Sequence, residues 1–106
     1  MRDGIIFPEE ILPVGFDYLY MYYVYVIENL LSHDLYIGLT TNIKGRISEH
    51  NSGKGARTTR RKGRWKLLYL EGYLNQKDAL GREKFLKGGS GLKYLKKQLK
   101  HYFTAV

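Results

Sequence analysis

The sequence contains no cysteine, and its only two prolines, Pro8 and Pro13, lie close to the N-terminus. Without thiols there is no disulfide framework, no thiolate zinc site and no cysteine nucleophile. The same absence suits a reducing compartment, and a cytoplasmic location is expected. No apolar run approaches the roughly 18–20 residues that cross a bilayer. The first twenty residues have no basic leader followed by an apolar stretch, so no secretory signal is expected. Acids are also scarce beyond residue 20. Of 18 Lys and Arg and 10 Asp and Glu, the first twenty residues hold Arg2 against Asp3, Glu9, Glu10 and Asp17. That leaves 17 bases against six acids in the rest of the chain. A small domain with this imbalance repels itself, and an anionic partner such as nucleic acid offsets the repulsion. An anionic membrane is the rival partner, but surface-binding helices show exposed Trp, Phe or Leu opposite their bases, and only the last amphipathic segment comes near that. No membrane association is expected.

What is present is 106 residues, 43% apolar and 26% charged, enough for one globular domain with a single modest core. Residues 1–20 show no sustained periodicity and read as an N-terminal extension, expected to be poorly ordered. The domain proper is expected over 21–106. "MYYVYVIE" from Met21 is β-branched and aromatic and reads as a strand. Asn29 to Asp34 form a loop, and "LYIG" reads as an antiparallel partner strand. Thr41 or Asn42 caps a helix with apolar positions Ile43 and Ile47, which Gly53 ends. "WKLLYLEGY" is another strand. Asn75, with Asp78 three residues on, opens a helix to about Lys87. "GGSG" is expected to break the chain before a final amphipathic helix, "LKYLKKQLKHYF". The order is β-β-α-β-α-α, an α+β domain with helices packed on a small sheet.

Seven cations fall between Lys54 and Lys66: Lys54, Arg57, Arg60, Arg61, Lys62, Arg64 and Lys66, with no acid among them. The arginine fork suits phosphate oxygens, so this stretch is expected to contact nucleic acid. Lys93, Lys96, Lys97 and Lys100 form one face of the last helix, opposite Leu92, Leu95 and Leu99. A solubilising face explains them as well as a phosphate-binding one does. In the 76–87 helix, Glu83 interrupts an apolar stripe of Ala79, Leu80 and Leu86. A carboxylate there is costly unless a cation meets it. Lys87 at i+4 is the plain partner, and a magnesium ion sharing substrate phosphate and water is the sharper one. Arg46 and His50 are i, i+4 neighbours on the preceding helix. A surface Arg beside a partly buried core His accounts for them without chemistry. His50 has no second His at zinc spacing, no Ser-His-Asp set or phosphate-cradling loop is present, and no small-molecule cofactor is expected. Taken together, an electropositive track, a carboxylate for a divalent ion, an Arg for phosphate and proton-handling groups meet the needs of phosphodiester cleavage.

"VYV" at Val24–Val26, "YIG" at Tyr36–Gly38, "KGRISEHNSGKG" and "ALGREKFLK" resemble the GIY-YIG endonuclease superfamily, above all its small stand-alone bacterial members. The chain is also similar to the N-terminal cutting module of the UvrC repair nuclease. The resemblance covers nearly all of residues 21–100. It implies a small three-stranded antiparallel sheet flanked by helices, and hydrolysis of nucleic acid, DNA above all, with one divalent ion, Mg²⁺ or Mn²⁺. It also implies catalytic roles for Tyr25 and Tyr36 as the tyrosines of the two motifs, Arg46 as the arginine facing the scissile phosphate, and Glu83 as the metal-binding glutamate. His50 falls where related members often carry a polar or basic group. The first motif departs from Gly-Ile-Tyr around its tyrosine, and the asparagine that some relatives carry beyond the glutamate is missing. Tyr25, Tyr36 and His50 all stand as candidates for the general base. Two readings of another kind compete: a binding module with a decayed site, stacking bases on its tyrosines, and a basic structural component of a ribonucleoprotein. Neither requires a glutamate within an apolar stripe.

Overall fold

A computed structural model describes residues 21–53 and 64–105. The expected N-terminal extension and the stretch 54–63 lie outside the described residues. Three strands form one antiparallel sheet: β1 (Tyr22–Asn29), β2 (Leu35–Thr40) and β3 (Trp65–Tyr73), in the order β2-β1-β3. Helix α1 (Ile43–Asn51) follows β2, and α2 (Gln76–Lys87), α3 (Gly89–Gln98) and the short α4 (Lys100–Thr104) follow β3. The architecture is therefore α+β, a three-stranded antiparallel sheet with helices, as the strand and helix patterns implied.

Strand alternation divides the core in two. Val24 and Val26 point from β1 toward Ile37 of β2 and toward Ala79, Leu86 and Leu95 of α2 and α3. Tyr25 and Ile27 point the other way, where Trp65, Tyr36, Ile43 and Ile47 surround them. The sheet thus separates α1 from the C-terminal helices. A register shift keeps both sides supplied: Val26 pairs with Tyr69 and Ile27 with Leu67, so Leu68 is an extra residue, and it packs with Tyr69 on the α2–α3 side. From the bulge onward Tyr69, Glu71 and Tyr73 share that side.

Local chemistry sets the boundaries. The buried Asn29 amide oxygen accepts from Leu31 and Ser32 N–H, both at 2.9 Å, and shapes the β1–β2 turn. His33 takes a left-handed φ of 63° in that turn. Asn42, rather than Thr41, caps α1 by accepting from Gly45 N–H at 3.1 Å, and Gly53 with φ 80° follows its end. Asn75 caps α2 through Lys77 N–H at 2.8 Å.

Two expectations are corrected. Leu80 is 45% exposed, because the inward line of α2 runs Ala79–Glu83–Leu86 and Leu80 is rotated off it. The expected break falls at Gly88 alone, the extended cap shared by α2 and α3. The final helix starts earlier than expected, with Gly89 to Gly91 as the first turn of α3, and it is interrupted at Leu99, between α3 and α4. Gly91 permits this, since a Cβ there would overlap the Phe85 carbonyl at the end of α2. Gly81 meets nothing within 4 Å. Gly91→Ala is therefore expected to destabilise the domain by at least about 1–3 kcal/mol, as forced overpacking does. Gly81→Ala should stabilise it by about 0.5–1 kcal/mol. Urea unfolding of both variants checks the opposite signs.

Candidate active site

The candidate residues gather where α1 covers β1 and β2. Tyr25 lies opposite Gly38 in the β1–β2 ladder and Tyr36 opposite Ile27, so both phenols rise on the α1 side. The Tyr25 ring is laid directly over Gly38, where a Cβ would overlap its Cζ and Oη atoms. The glycine of "YIG" thus gives room to the first tyrosine's own ring, and the phenol reaches across the edge strand β2. The Tyr25 and Tyr36 ring centroids are 6.4 Å apart.

On α1, Ile43 and Ile47 pack against the sheet. Arg46 and His50 flank that apolar contact one turn apart, both turned toward Tyr25. His50 is buried, with 1% exposure, and its ring meets Tyr36 edge-on at 5.0 Å. Its Nε2 lies 2.9 Å from the Tyr25 hydroxyl. Arg46 Nε donates to the same oxygen at 3.4 Å, and its Nη1 lies 3.5 Å from Glu49. The Arg46 side chain keeps 29% exposure, so its guanidinium joins the buried pair to solvent.

These contacts shift proton affinities in readable directions. Burial raises Tyr25 above its ordinary value of 10.0, against the hydrogen bond and charge of Arg46, while Tyr36 and Glu83 add to the rise. Burial also lowers His50 below 6.5, helped by the Arg46 charge and opposed by Glu49. A lowered histidine is neutral at pH 7, leaving one ring nitrogen able to accept a proton.

Glu83 comes from the other layer. Helix α2 packs against β1 and β2, and Glu83 occupies the line between the buried Ala79 and Leu86. Its side chain is 18% exposed and pairs with Lys87 Nζ at 3.1 Å, the i, i+4 bridge its spacing allowed. Its charge is felt at the Tyr25 phenol. Among the described residues no group of three or more His, Cys, Asp or Glu is placed to hold a metal ion. Glu83 is the candidate carboxylate for one among the described residues.

The cations divide. Lys54, Arg57, Arg60, Arg61 and Lys62 lie outside the described residues. Arg64 is exposed at the entrance to β3 and its carbonyl accepts from Leu30 N–H. Lys66 turns to the buried Glu28 at 3.7 Å and lies 5.1 Å from the centre of the Tyr102 ring. It is thus tied into the packing of α4.

A second polar cluster, outside the candidates read from the sequence, lies on β3. Glu71 accepts from Tyr69 and Tyr73, each at 2.6 Å, and from Arg82 at 3.0 and 3.2 Å. Burial alone would raise this carboxylate, but the three donors outweigh it and hold its pKa below normal. Tyr73 is pushed up to about 12 by burial and by Glu71. The period-two spacing in "YLEGY" was the available signal.

With this arrangement in place, comparison with known proteins gives the class. The GIY-YIG catalytic domain model matches residues 21–98, and the chain belongs to that family. It is similar to a UPF0213 protein of Clostridium perfringens, 42% identical over 67 residues covering 63% of this chain and 71% of the relative. A UPF0213 protein from the ldhD 5′ region of Pediococcus acidilactici is 48% identical over 67 residues, covering 58% and 68% of the two chains. One from Staphylococcus haemolyticus is 37% identical over 75 residues, covering 71% and 90%. No solved structure matches. Among the described residues no helix is long and apolar enough to cross a membrane.

Two measurements check the geometry. Gly38→Ala should displace the Tyr25 ring and destabilise the domain by about 1–3 kcal/mol. In an NMR titration His50 should titrate below 6.5, and Arg46→Met should move it upward, because a repelling cation is removed, while burial still holds it low.

Proposed function

We propose that this domain is an endonuclease that hydrolyses nucleic-acid phosphodiester bonds, DNA above all, with one divalent cation. Membership of the GIY-YIG family supports the reaction class, and the lack of cysteine suits work in the cytoplasm. The observation that carries the reading is the buried hydrogen bond between Tyr25 and His50, with Arg46 on the same phenol oxygen.

A free tyrosinate is scarce at neutral pH. With a pKa above 10, fewer than about one phenol in a thousand is ionised at pH 7, a deficit of more than about 4 kcal/mol. The hydrogen bond to His50 removes the need for it. In the tautomer with Nε2 bare, Tyr25 donates its proton to neutral His50. The phenol oxygen can then accept a proton from an attacking water as its own passes to Nε2. Tyr25 ends neutral, His50 ends as imidazolium, and hydroxide is delivered to phosphorus without a standing tyrosinate. Arg46 orients the phenol through Nε, and its partly exposed guanidinium, turned from Glu49, would neutralise charge growing on the phosphate. Tyr36 packs edge-on against His50 and holds the imidazole in place. The water's proton thus leaves through Tyr25 to His50.

Glu83 fits a magnesium-type ion. It is a single, hard, partly exposed oxygen donor, and Mg²⁺ or Mn²⁺ is commonly held by one or two carboxylates plus water and substrate phosphate. It does not fit zinc, which takes several protein ligands. When bound, the cation would polarise a phosphate oxygen and stabilise the leaving oxygen. Lys54, Arg57, Arg60, Arg61, Lys62 and Arg64 would supply the electrostatic attraction for the substrate backbone.

Incubation with labelled single-stranded, duplex and branched DNA tests this reading. Cleavage is expected with Mg²⁺ or Mn²⁺ and none with chelator. Glu83→Gln should abolish cleavage while binding persists, and Tyr25→Phe should slow single-turnover cleavage by about 10²–10⁴-fold. Protein that binds every substrate and cuts none, under any divalent ion, would instead be a binding module.

A further inference from the structure

The lysine row of α3 is not absorbed by the proposed reaction, and the structure divides it. Lys96 lies 5.8 Å from the centre of the Phe103 ring, on the α4 side. Lys93 and Lys97 instead border a groove between α2 and α3. Its main hollow, of about 680 Å³, is lined by Arg82, Phe85, Tyr94, Lys97 and Gln98. A smaller one of about 230 Å³ continues it past Lys93.

Three features distinguish this groove from an ordinary solvated face. First, it presents two aromatic rings to solvent: Tyr94 is 68% exposed and Phe85 is 41% exposed, with centroids 6.2 Å apart. Isolated exposed aromatics need no explanation, but a pair in one concave surface offers flat stacking area. Second, its floor is fixed. Arg82 is held by three hydrogen bonds to Glu71 and sits 5.3 Å from the Phe85 ring centre, while Gln98 donates to Tyr69 at 3.3 Å. Arg82 is therefore a neutralised support that covers one face of Phe85. Third, the groove is cationic. Neither hollow is lined by a carboxylate among the described residues, and neither Lys93 nor Lys97 has an ion-pair partner there. The two lysines stand one helical turn apart and bracket Tyr94.

We propose that the α2–α3 groove is a second binding site, for single-stranded nucleic acid, in which bases stack on Tyr94 and Phe85 and Lys93 and Lys97 neutralise the flanking phosphates. Exposed aromatic rings flanked by cations suit unpaired nucleotides, whose bases are free to stack, and offer a duplex little beyond charge. The groove lies on the opposite side of the sheet from Tyr25, Tyr36 and His50. It would hold the strand away from the reacting bond. The proposal rests on the nuclease reading only for the choice of nucleic acid over other polyanions.

Fluorescence anisotropy of the full chain with labelled oligothymidylate and with a duplex of equal length, without metal, tests it. Tyr94→Ala should weaken oligothymidylate binding by about 5- to 100-fold, Tyr94→Phe should restore it, and duplex affinity should stay unchanged. The double variant Lys93→Ala/Lys97→Ala should flatten the salt dependence of single-strand binding by about 1.4 in log–log slope. The proposal is overturned if oligothymidylate does not bind, if Tyr94→Ala leaves its affinity unchanged, or if both ligands weaken equally. Equal Tyr94-dependent binding of polyglutamate, or of phosphatidylserine vesicles, would overturn it in favour of a peptide or membrane surface. Cleavage separates the two proposals. Protein that cuts nothing yet binds oligothymidylate through Tyr94 keeps the groove and loses the nuclease. Protein that cuts while its single-strand affinity ignores Tyr94 does the reverse.

Discussion

The site is built on the close approach of one phenol ring to one glycine. Tyr25 lies flat over Gly38 because that residue has no Cβ, and this brings the phenol oxygen across β2 to meet α1. The contacts made to the phenol oxygen follow from that position. His50 can reach the oxygen at 2.9 Å only because the ring is so placed, and Arg46, one turn earlier, meets the same atom. Burial then sets the proton chemistry. It makes the phenol reluctant to ionise and the imidazole reluctant to charge, so the pair rests as two neutral partners sharing one proton. That resting state is costly to disturb in either direction alone, and it favours movement of both protons together.

Helix α2 serves two surfaces at once. Its inward line carries Glu83 between Ala79 and Leu86, from which the carboxylate's charge reaches the phenol across the layer. One residue earlier, Arg82 turns toward β3 and is fixed by Glu71. The same helix therefore anchors the candidate metal carboxylate and the floor of the α2–α3 groove. Gly91 sets the approach of α3 to that helix, and with it the shape of the groove.

Much of this was legible in the chain, for physical reasons. β-branched and aromatic content marked β1, the short loop after it marked β2 as its antiparallel partner, and the i, i+4 spacing placed Arg46 and His50 together. The position of Glu83 inside an apolar stripe marked it before any contact was visible. What could not be read was long-range. The His50–Tyr25 bond joins residues 25 apart in sequence, and nothing local indicated that His50 would be buried rather than partly exposed. In the Glu71 cluster the period-two spacing of Tyr69, Glu71 and Tyr73 was legible, but the fixing of Glu71 by Arg82 from α2 left no local mark. "GGSG" shows both properties of glycine, which breaks helices and lets them pack closely: Gly88 does the first, between α2 and α3. At Gly91 the second property governs.

The central claim is that the water's proton leaves through Tyr25 to a neutral His50. The pH dependence of single-turnover cleavage, in the wild-type protein and in His50→Gln, tests it most directly. Because His50 must be neutral to accept, the wild-type rate should fall about tenfold per pH unit below an apparent pKa under 6.5 and be level above it. His50→Gln should lose that acid limb together with most of the rate. A rate that keeps climbing tenfold per unit from pH 7 toward pH 10, unchanged in His50→Gln, would show that a free tyrosinate is the base and would contradict the account.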